Sequence, residues 1–284
     1  SDLGNNFNQP KKPMGFGKTL LASTLGVIIG TAIINIIVFV LMISAIASMA
    51  TMKTEEVPIV GDNIFLKIDL TQGIMERSPD ALTSITNELK VTGLDQIVES
   101  LKKASNDDKI NGIYLYSGAT TSISWGQCEE IRNALLRFKN ESSKPIIAYA
   151  ESYSQSGYYI STIADSIIIH PSGITELCGI GANVIFYKEL LDKLDIKMDL
   201  IRPNNNAYKS AGETYTRTNM SEANREQLRS YISSIWDHIS QQIATSRNID
   251  IDRLNSLTED MRAFLPEDAL RHNIISGIAF EQEI

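Results

Sequence analysis

Residues 145–171 read PIIAYAESYSQSGYYISTIADSIIIHP, and this stretch decides the fold. The apolar run over 145–150 is typical of a strand that is buried on both faces. Polar residues then open a short helix predicted over 155–164. A second apolar run over 166–170 predicts another strand, which Pro171 ends. A strand, a helix and a strand in this order predict two parallel strands joined by a right-handed crossover.

The same alternation continues on both sides of this stretch. Three further strands are predicted over 63–70, 113–116 and 197–201. Four further helices are predicted over 93–105, 125–138, 187–194 and 221–246. Repeated strand–helix–strand units indicate an α/β domain with a parallel sheet, and we place this domain at residues 53–284.

Sites in parallel α/β sheets form at the carboxyl ends of the strands. Three predicted strand ends are therefore of interest: Ser117-Gly118, residues 151–156, and the loop over 202–213. The last of these is long and polar, which is typical of functional loops.

A second, very different segment lies near the N-terminus. No charged residue occurs between Lys18 and Lys53, and the apolar run over 20–50 exceeds the ~20 residues that a helix needs to cross a bilayer. The alternative is a cleavable signal peptide, because Ala45-Ile-Ala47 resembles a cleavage site. A signal h-region has only ~7–15 residues, which favours a transmembrane anchor.

The charges beside this segment predict its orientation. Lys11, Lys12 and Lys18 precede it, and acidic residues dominate after it. The positive-inside rule then gives a cytoplasmic tail over 1–19 and a single pass through the bacterial cytoplasmic (inner) membrane, with residues 53–284 on the outer, periplasmic side.

Composition excludes several classes of function. The net charge of −8 argues against nucleic acid as a partner, and two cysteines in 284 residues exclude a four-cysteine zinc site or a disulfide scaffold. The cysteines either pair outside the cytoplasm or are two buried thiols. Gly179-Ile-Gly181 lacks the third glycine of a dinucleotide site, and no ligand spacing indicates a metal. We therefore expect no cofactor and no metal.

The side chains available for hydrolysis are few. The chain has no Gly-x-Ser-x-Gly elbow, and its three histidines, His170, His238 and His272, are expected to be structural or solvated. Lys209 lies in the loop at the predicted active edge. A lysine acts as a general base only when it is neutral, and serine–lysine pairs are a known form of nucleophilic catalysis. The alternative is an ordinary solvated loop lysine.

Several motifs together resemble the S49 family of serine–lysine peptidases. Tyr208-Lys-Ser-Ala211 with Glu213, followed by Met220-Ser-Glu-Ala-Asn-Arg225, looks like the general-base segment of that family. Ser154-Gln-Ser-Gly-Tyr-Tyr159 resembles the helix that follows its third strand. Trp125-Gly126 and Pro266-Glu-Asp-Ala-Leu270 also fit, so the similarity covers roughly 60–284.

The resemblance implies a crotonase/Clp-protease-like fold, a parallel βαβ superhelix preceded by one transmembrane helix. It also implies Lys209 as general base. In the short form of the family the nucleophilic serine would fall at Gln155, flanked by Ser154 and Ser156. Glutamine has no nucleophilic oxygen, so the chain looks like the N-terminal, lysine-bearing half of the long tandem form. Gly212 replaces a more typical bulky residue.

Two hypotheses follow from this resemblance. The first is half of an endopeptidase that degrades cleaved signal peptides and other extended apolar peptides, with its serine supplied by a C-terminal half and with assembly into a homo-oligomer in the lipid bilayer. The rival is a membrane-anchored pseudoenzyme that binds peptides without cleaving them.

Overall fold

The computed structural model describes residues 15–51, 61, 63–78, 91–118, 123–201 and 206–284. The chain divides into two units, Ser1–Val60 and Gly61–Ile284. The expected cytoplasmic tail lies outside the described residues, except for its last five positions.

The first unit contains helix α1, Phe16–Thr51. Over Phe16–Ala45 the helix is apolar and none of it is buried, so its length and composition suit a membrane span; a signal sequence near the N-terminus has the same properties. Polar side chains bond within the helix: Thr24 Oγ1 donates to the carbonyl of Leu20 at 2.8 Å and Asn35 Nδ2 to that of Thr31 at 2.8 Å. These internal bonds suit a helix in an apolar surrounding, where an unsatisfied donor is costly.

The second unit is built on a parallel five-stranded sheet. Its strands are β1 Ile64–Asp69, β4 Ile110–Tyr116, β5 Ile146–Ala150, β6 Ser166–Ile169 and β7 Gly277–Ile278, in the spatial order β1-β4-β5-β6-β7. A smaller parallel pair joins β2 Gly73–Met75 to β3 Val91–Gly93. The α/β class with a parallel sheet is thus confirmed.

Eight further helices are described in this unit. They are α2 Leu94–Ser105, α3 Trp125–Ser142, α4 Gln155–Ser161, α5 Lys188–Lys193, α6 Glu213–Thr216, α7 Glu222–Arg247, α8 Ile251–Glu259 and α9 Pro266–Arg271. A side-chain oxygen caps the first turn of four of them, from Ser124, Ser154, Ser221 and Asp250. Helix α7 begins directly after Ser221, as the sequence predicts.

The core lies along the central strands. Leu115, Ala148 and Ile167 are neighbours in register across β4, β5 and β6, and all three are fully buried. Helix α3 packs against both α2 and α4. Strands of this kind are continuous apolar runs because helices cover the sheet.

The strand predicted over 197–201 is wrong. Among the described residues, 196–201 form neither helix nor strand and pair with no neighbouring strand, and Ile196, Met198 and Leu200 are each more than two-fifths exposed. The alternation of apolar side chains is present, but no neighbouring strand pairs with it. The loop over 202–213 therefore does not follow a sheet strand; its residues 202–205 lie outside the described part of the chain.

Candidate functional site

The carboxyl ends of β4 and β5 meet at the start of helix α4. Gly157 lies against β4 so closely that a Cβ there would approach the carbonyl oxygen of Ser117 to 2.4 Å. Ser154 Oγ accepts the Gly157 N–H at 3.2 Å and caps the helix. Two of the three predicted strand ends therefore come together, with the backbone of α4 pressed onto the strand beside it.

The Gln155 side chain hydrogen-bonds helix α4 to residues 178 and 179, which follow β6 in the chain. Its Oε1 accepts the N–H groups of Cys178 at 3.0 Å and Gly179 at 2.8 Å, while its Nε2 donates to the carbonyl of Gly179 at 3.0 Å. Gly179 has a φ of +80°, a conformation that glycine adopts without strain. The side chain that resemblance places at the nucleophile position is therefore a clamp on the backbone.

The two serines beside Gln155 are also engaged. The Ser154 hydroxyl caps α4, and it lies 3.3 Å from the hydroxyl of Ser156. The capping role of Ser154 needs its oxygen to point at the helix backbone, which is a structural use of the hydroxyl.

Residues 178 and 179, which Gln155 contacts, form one wall of an open cleft of about 360 Å³. Its lining includes Cys178, Gly179 and Ile180 on this side, with Ile232 and Trp236 of α7. Trp236 Nε1 donates to Asn255 Oδ1 of α8 at 3.1 Å, which fixes the indole. The cleft thus offers both apolar and polar side chains next to the start of α4.

Lys209 is exposed and lies within residues 206–212, the segment that directly precedes helix α6. Its backbone N–H donates to the carbonyl of Asn206 at 3.1 Å, which makes a tight turn around it. The neighbouring Tyr208 hydroxyl donates to Glu226 on α7 at 3.1 Å. The Tyr208 hydrogen bond thus joins the Lys209 segment to α7, whereas the Gln155 side chain bonds to residues 178 and 179.

The side chain of Leu200 accounts for the glycine at position 212, where the resemblance implies a bulky residue. A Cβ at this position would lie 2.5 Å from Cδ1 of Leu200. The Leu200 side chain therefore occupies the space that a larger residue 212 would fill, and it packs against the lysine-bearing segment.

Sequence reasoning missed the buried carboxylate of Glu213, four residues after Lys209. Glu213 is 2% exposed, and its Oε2 accepts the Ser221 N–H at 3.0 Å and the Asn224 side-chain amide at 3.1 Å. Burial alone would raise the pKa of Glu213, but these hydrogen bonds outweigh it and lower the pKa. Glu213 belongs to the motif that resembles the general-base segment of the S49 family, but the sequence pattern did not indicate that its carboxylate is buried.

A polar cluster that fixes α7 to α3 was also missed. Glu129 on α3 lies 3.2 Å from His238 Nε2 and accepts Gln242 Nε2 at 3.3 Å, and Arg132 Nε donates to Gln242 Oε1 at 2.8 Å. Hydrogen bonds from Tyr159, His238 and Gln242 lower the pKa of Glu129 against the opposing effect of burial. His238 therefore has a structural role, as expected.

The two cysteines correct one expectation. Both are free thiols, and Cys128 is buried but Cys178 is exposed, so they are neither a disulfide nor two buried thiols. Burial raises the pKa of Cys128 to about 12, which keeps that thiol protonated. Among the described residues, no group of three or more histidine, cysteine or acidic side chains is placed to hold a metal ion.

Comparison with known proteins gives consistent matches over this region. The profile of peptidase family S49 matches residues 138–284, which include both Gln155 and Lys209. Protease 4 of Salmonella typhi is 30% identical over 210 residues, covering 70% of this chain and 33% of that protein. Protease 4 of Haemophilus influenzae is 30% identical over 181 residues, covering 63% of this chain and 29% of that protein. The chloroplastic serine protease SPPA of Arabidopsis thaliana is 32% identical over 145 residues, which are 51% of this chain and 21% of that protein. The chain thus spans about a third of the length of the first two relatives.

Proposed function

Because the chain belongs to peptidase family S49, we propose that it is the lysine-bearing half of a membrane-anchored serine endopeptidase. The observation that carries this proposal is the clamp of Gln155 on Cys178 and Gly179, at the position where a one-domain enzyme of this kind would have its nucleophile. The match to about a third of each Protease 4 sequence supports a second half outside this chain. We propose that the two halves together have a crotonase-like superhelical fold.

Lys209 is the general base in this proposal. Its neutral amine takes the proton from a serine hydroxyl of the second half while the serine oxygen attacks the peptide carbonyl. The proton then passes to the leaving amine as the carbon–nitrogen bond breaks, which leaves the acyl group on the serine. Lys209 next takes a proton from water as the water attacks the acyl carbonyl, and this proton passes to the serine oxygen as the ester bond breaks. Backbone N–H groups stabilise the oxyanion.

The substrates we propose are cleaved signal peptides and other extended apolar peptides. The cleft lined by Ile180, Ile232 and Trp236 supports this choice, because its apolar side chains can contact apolar side chains of a bound peptide. Helix α1 would hold the enzyme in the bilayer where such peptides are released.

Assembly with further copies is also part of the proposal. Ile185, Leu190, Leu194 and Ile201 are each more than half exposed within one short segment, 185–201. Apolar side chains concentrated in this way mark interaction surfaces. These exposed apolar side chains support docking of the second half, and of further copies, on the surface formed by residues 185–201.

A binding scaffold without activity is the competing function, and covalent labelling separates the two. The full chain, in detergent, is expected to show no stoichiometric reaction with a serine-directed acylating probe, because Ser154 caps α4 and Gln155 has no nucleophilic oxygen. Combined with a serine-bearing second half, the complex should be labelled on that half. Labelling of Ser154 or Ser156 would contradict the division of catalytic residues, and an unlabelled complex would favour the scaffold.

The proposed orientation in the inner membrane has its own test. Protease added outside spheroplasts is expected to digest the part beyond Thr51 and to spare a tag placed at Ser1, because the lysines that precede α1 retain the N-terminus in the cytoplasm. Immunoblots against the tag and against residues 61–284 measure this directly, with detergent-lysed cells as the control. Protection of the C-terminal unit in intact spheroplasts would reverse the orientation.

A further inference from the structure

Glu213 is a buried carboxylate within a segment that is otherwise exposed or half-buried. Of residues 206–216 it alone falls in the buried class, with 2% of its surface exposed. Charged side chains are rarely buried unless their charge is satisfied. The two partners that satisfy it, Ser221 and Asn224, belong to the start of helix α7.

Both hydrogen bonds end on the same oxygen, Oε2. In a capping box, a glutamate of the helix itself accepts the N–H of the N-cap residue. Here Ser221 is the N-cap of α7, its Oγ accepts the Asn224 N–H at 3.2 Å, and Glu213 supplies the carboxylate from outside the helix. The negative charge also suits the positive end of the helix dipole.

The Lys209 turn is tied to this carboxylate over a short length of chain. The Lys209 N–H donates to Asn206 and the Glu213 N–H donates to the Ser210 carbonyl at 2.9 Å, so the intervening backbone forms consecutive turns. At its far end, α7 is fixed to α3 by the cluster around Glu129 and Gln242. A connected series of hydrogen bonds therefore leads from α3 through α7 to Glu213 and on to the Lys209 turn.

We infer that Glu213 is a positioning residue that holds the Lys209 turn against the start of α7, so that the amine meets the serine of the second half at the correct place. This inference rests on the proposed function of Lys209. Glu213 does not touch substrate in this scheme; it acts through the backbone of residues 209–213. Its importance follows from the sensitivity of catalysis to placement, where a displacement of about 1 Å costs roughly 10²-fold in rate.

The test compares Glu213→Ala, Glu213→Gln and Glu222→Gln in the complete two-half peptidase. Glu213→Ala is expected to lower kcat by roughly 10- to 100-fold with KM nearly unchanged, because a general base acts in the transition state and not in substrate binding. Glu213→Gln is expected to recover most of kcat, since one amide oxygen can accept both bonds that now end on Oε2. Glu222→Gln removes an exposed acid from the first turn of the same helix and is expected to leave kcat unchanged.

The pH dependence gives a second readout. A lowered pKa means that the contribution of Glu213 is complete above the ordinary glutamate value and is lost as pH falls through its folded pKa. Arg217, which also lowers this pKa, is retained in all variants. The protection of the Ser221 amide, which is its intrinsic exchange rate divided by the measured rate at the same pH, should therefore fall as pH falls through the folded pKa of Glu213 in the wild type, while Glu213→Gln removes that step.

The outcomes separate the proposed peptidase function from the positioning role of Glu213. A wild-type complex that hydrolyses no peptide, or an active Lys209→Ala variant, would overturn the proposed function itself. An active wild type with an inactive Lys209→Ala variant but an unchanged Glu213→Ala kcat would overturn the positioning role alone. If Glu213→Ala does not fold, Asn224→Ala removes one of the two donors, and an unchanged kcat there would equally contradict the inference.

Discussion

Lys209→Arg is expected to be as inactive as Lys209→Ala in the complete two-half peptidase. A general base contributes about 10²–10⁴-fold to a rate, and both variants should lose at least that much. Alanine has no basic group, and the arginine guanidinium stays protonated, so neither side chain can take a proton from serine. The assay is peptide hydrolysis followed against pH, from neutral to alkaline conditions.

Stability provides the control for this prediction. Lys209 is exposed, so neither variant should change the melting temperature by more than the small amounts typical of surface substitutions. Lys102→Arg, at an exposed position on helix α2, is the matched change and should retain full activity. Hydrolysis by Lys209→Arg at the wild-type rate would return Lys209 to the class of solvated loop lysines.

Gly157→Ala is expected to have the largest effect on folding. A Cβ would approach the Ser117 carbonyl to 2.4 Å and the Gly118 carbonyl to 3.2 Å, and neither is the end of a flexible side chain. We expect a loss of about 3 kcal/mol in the free energy of unfolding, at the upper end of the cost of overpacking. For a domain of this size each kcal/mol lowers the melting temperature by roughly 2–4 °C.

Gly126→Ala is the matched control for that change. Gly126 lies in the first turn of α3, and a Cβ there would meet nothing within 4 Å. The substitution should raise the free energy of unfolding by up to about 1 kcal/mol, because alanine is the better helix former. Equal melting temperatures for the two variants would contradict the close approach of α4 to β4.

The fold was predictable wherever burial alone decides structure. The stretch over 145–171 forms β5, α4 and β6 in the expected order, with α4 ending three residues early at Ser161. The strand predicted over 197–201 fails because periodicity reports which side chains are apolar and not whether a neighbouring strand exists. Strand β7 was missed because two residues carry no periodicity.

The candidate site was predictable only in part. Lys209 was singled out first by its place in a long polar loop at the predicted active edge and then by motif resemblance, and its role as general base stays a prediction. The clamp of Gln155 could not be predicted because its partners, Cys178 and Gly179, are distant in sequence and are contacted through backbone atoms. The burial of Glu213 was missed for a related reason: a glutamate in a polar loop is expected to be solvated unless the position of helix α7 is known.

The pairing of β7 with β6 dictates when the sheet domain can be completed during synthesis. Ile168 pairs with Gly277, and the Tyr158 hydroxyl donates to the carbonyl of Ile274. More than a hundred residues of chain separate these partners, so the edge of β6 stays uncovered until the ribosome has made residue 278. A complete five-stranded sheet therefore cannot form before nearly all of residues 61–284 have been synthesised, and its closing contacts are non-local, which makes them slow to form.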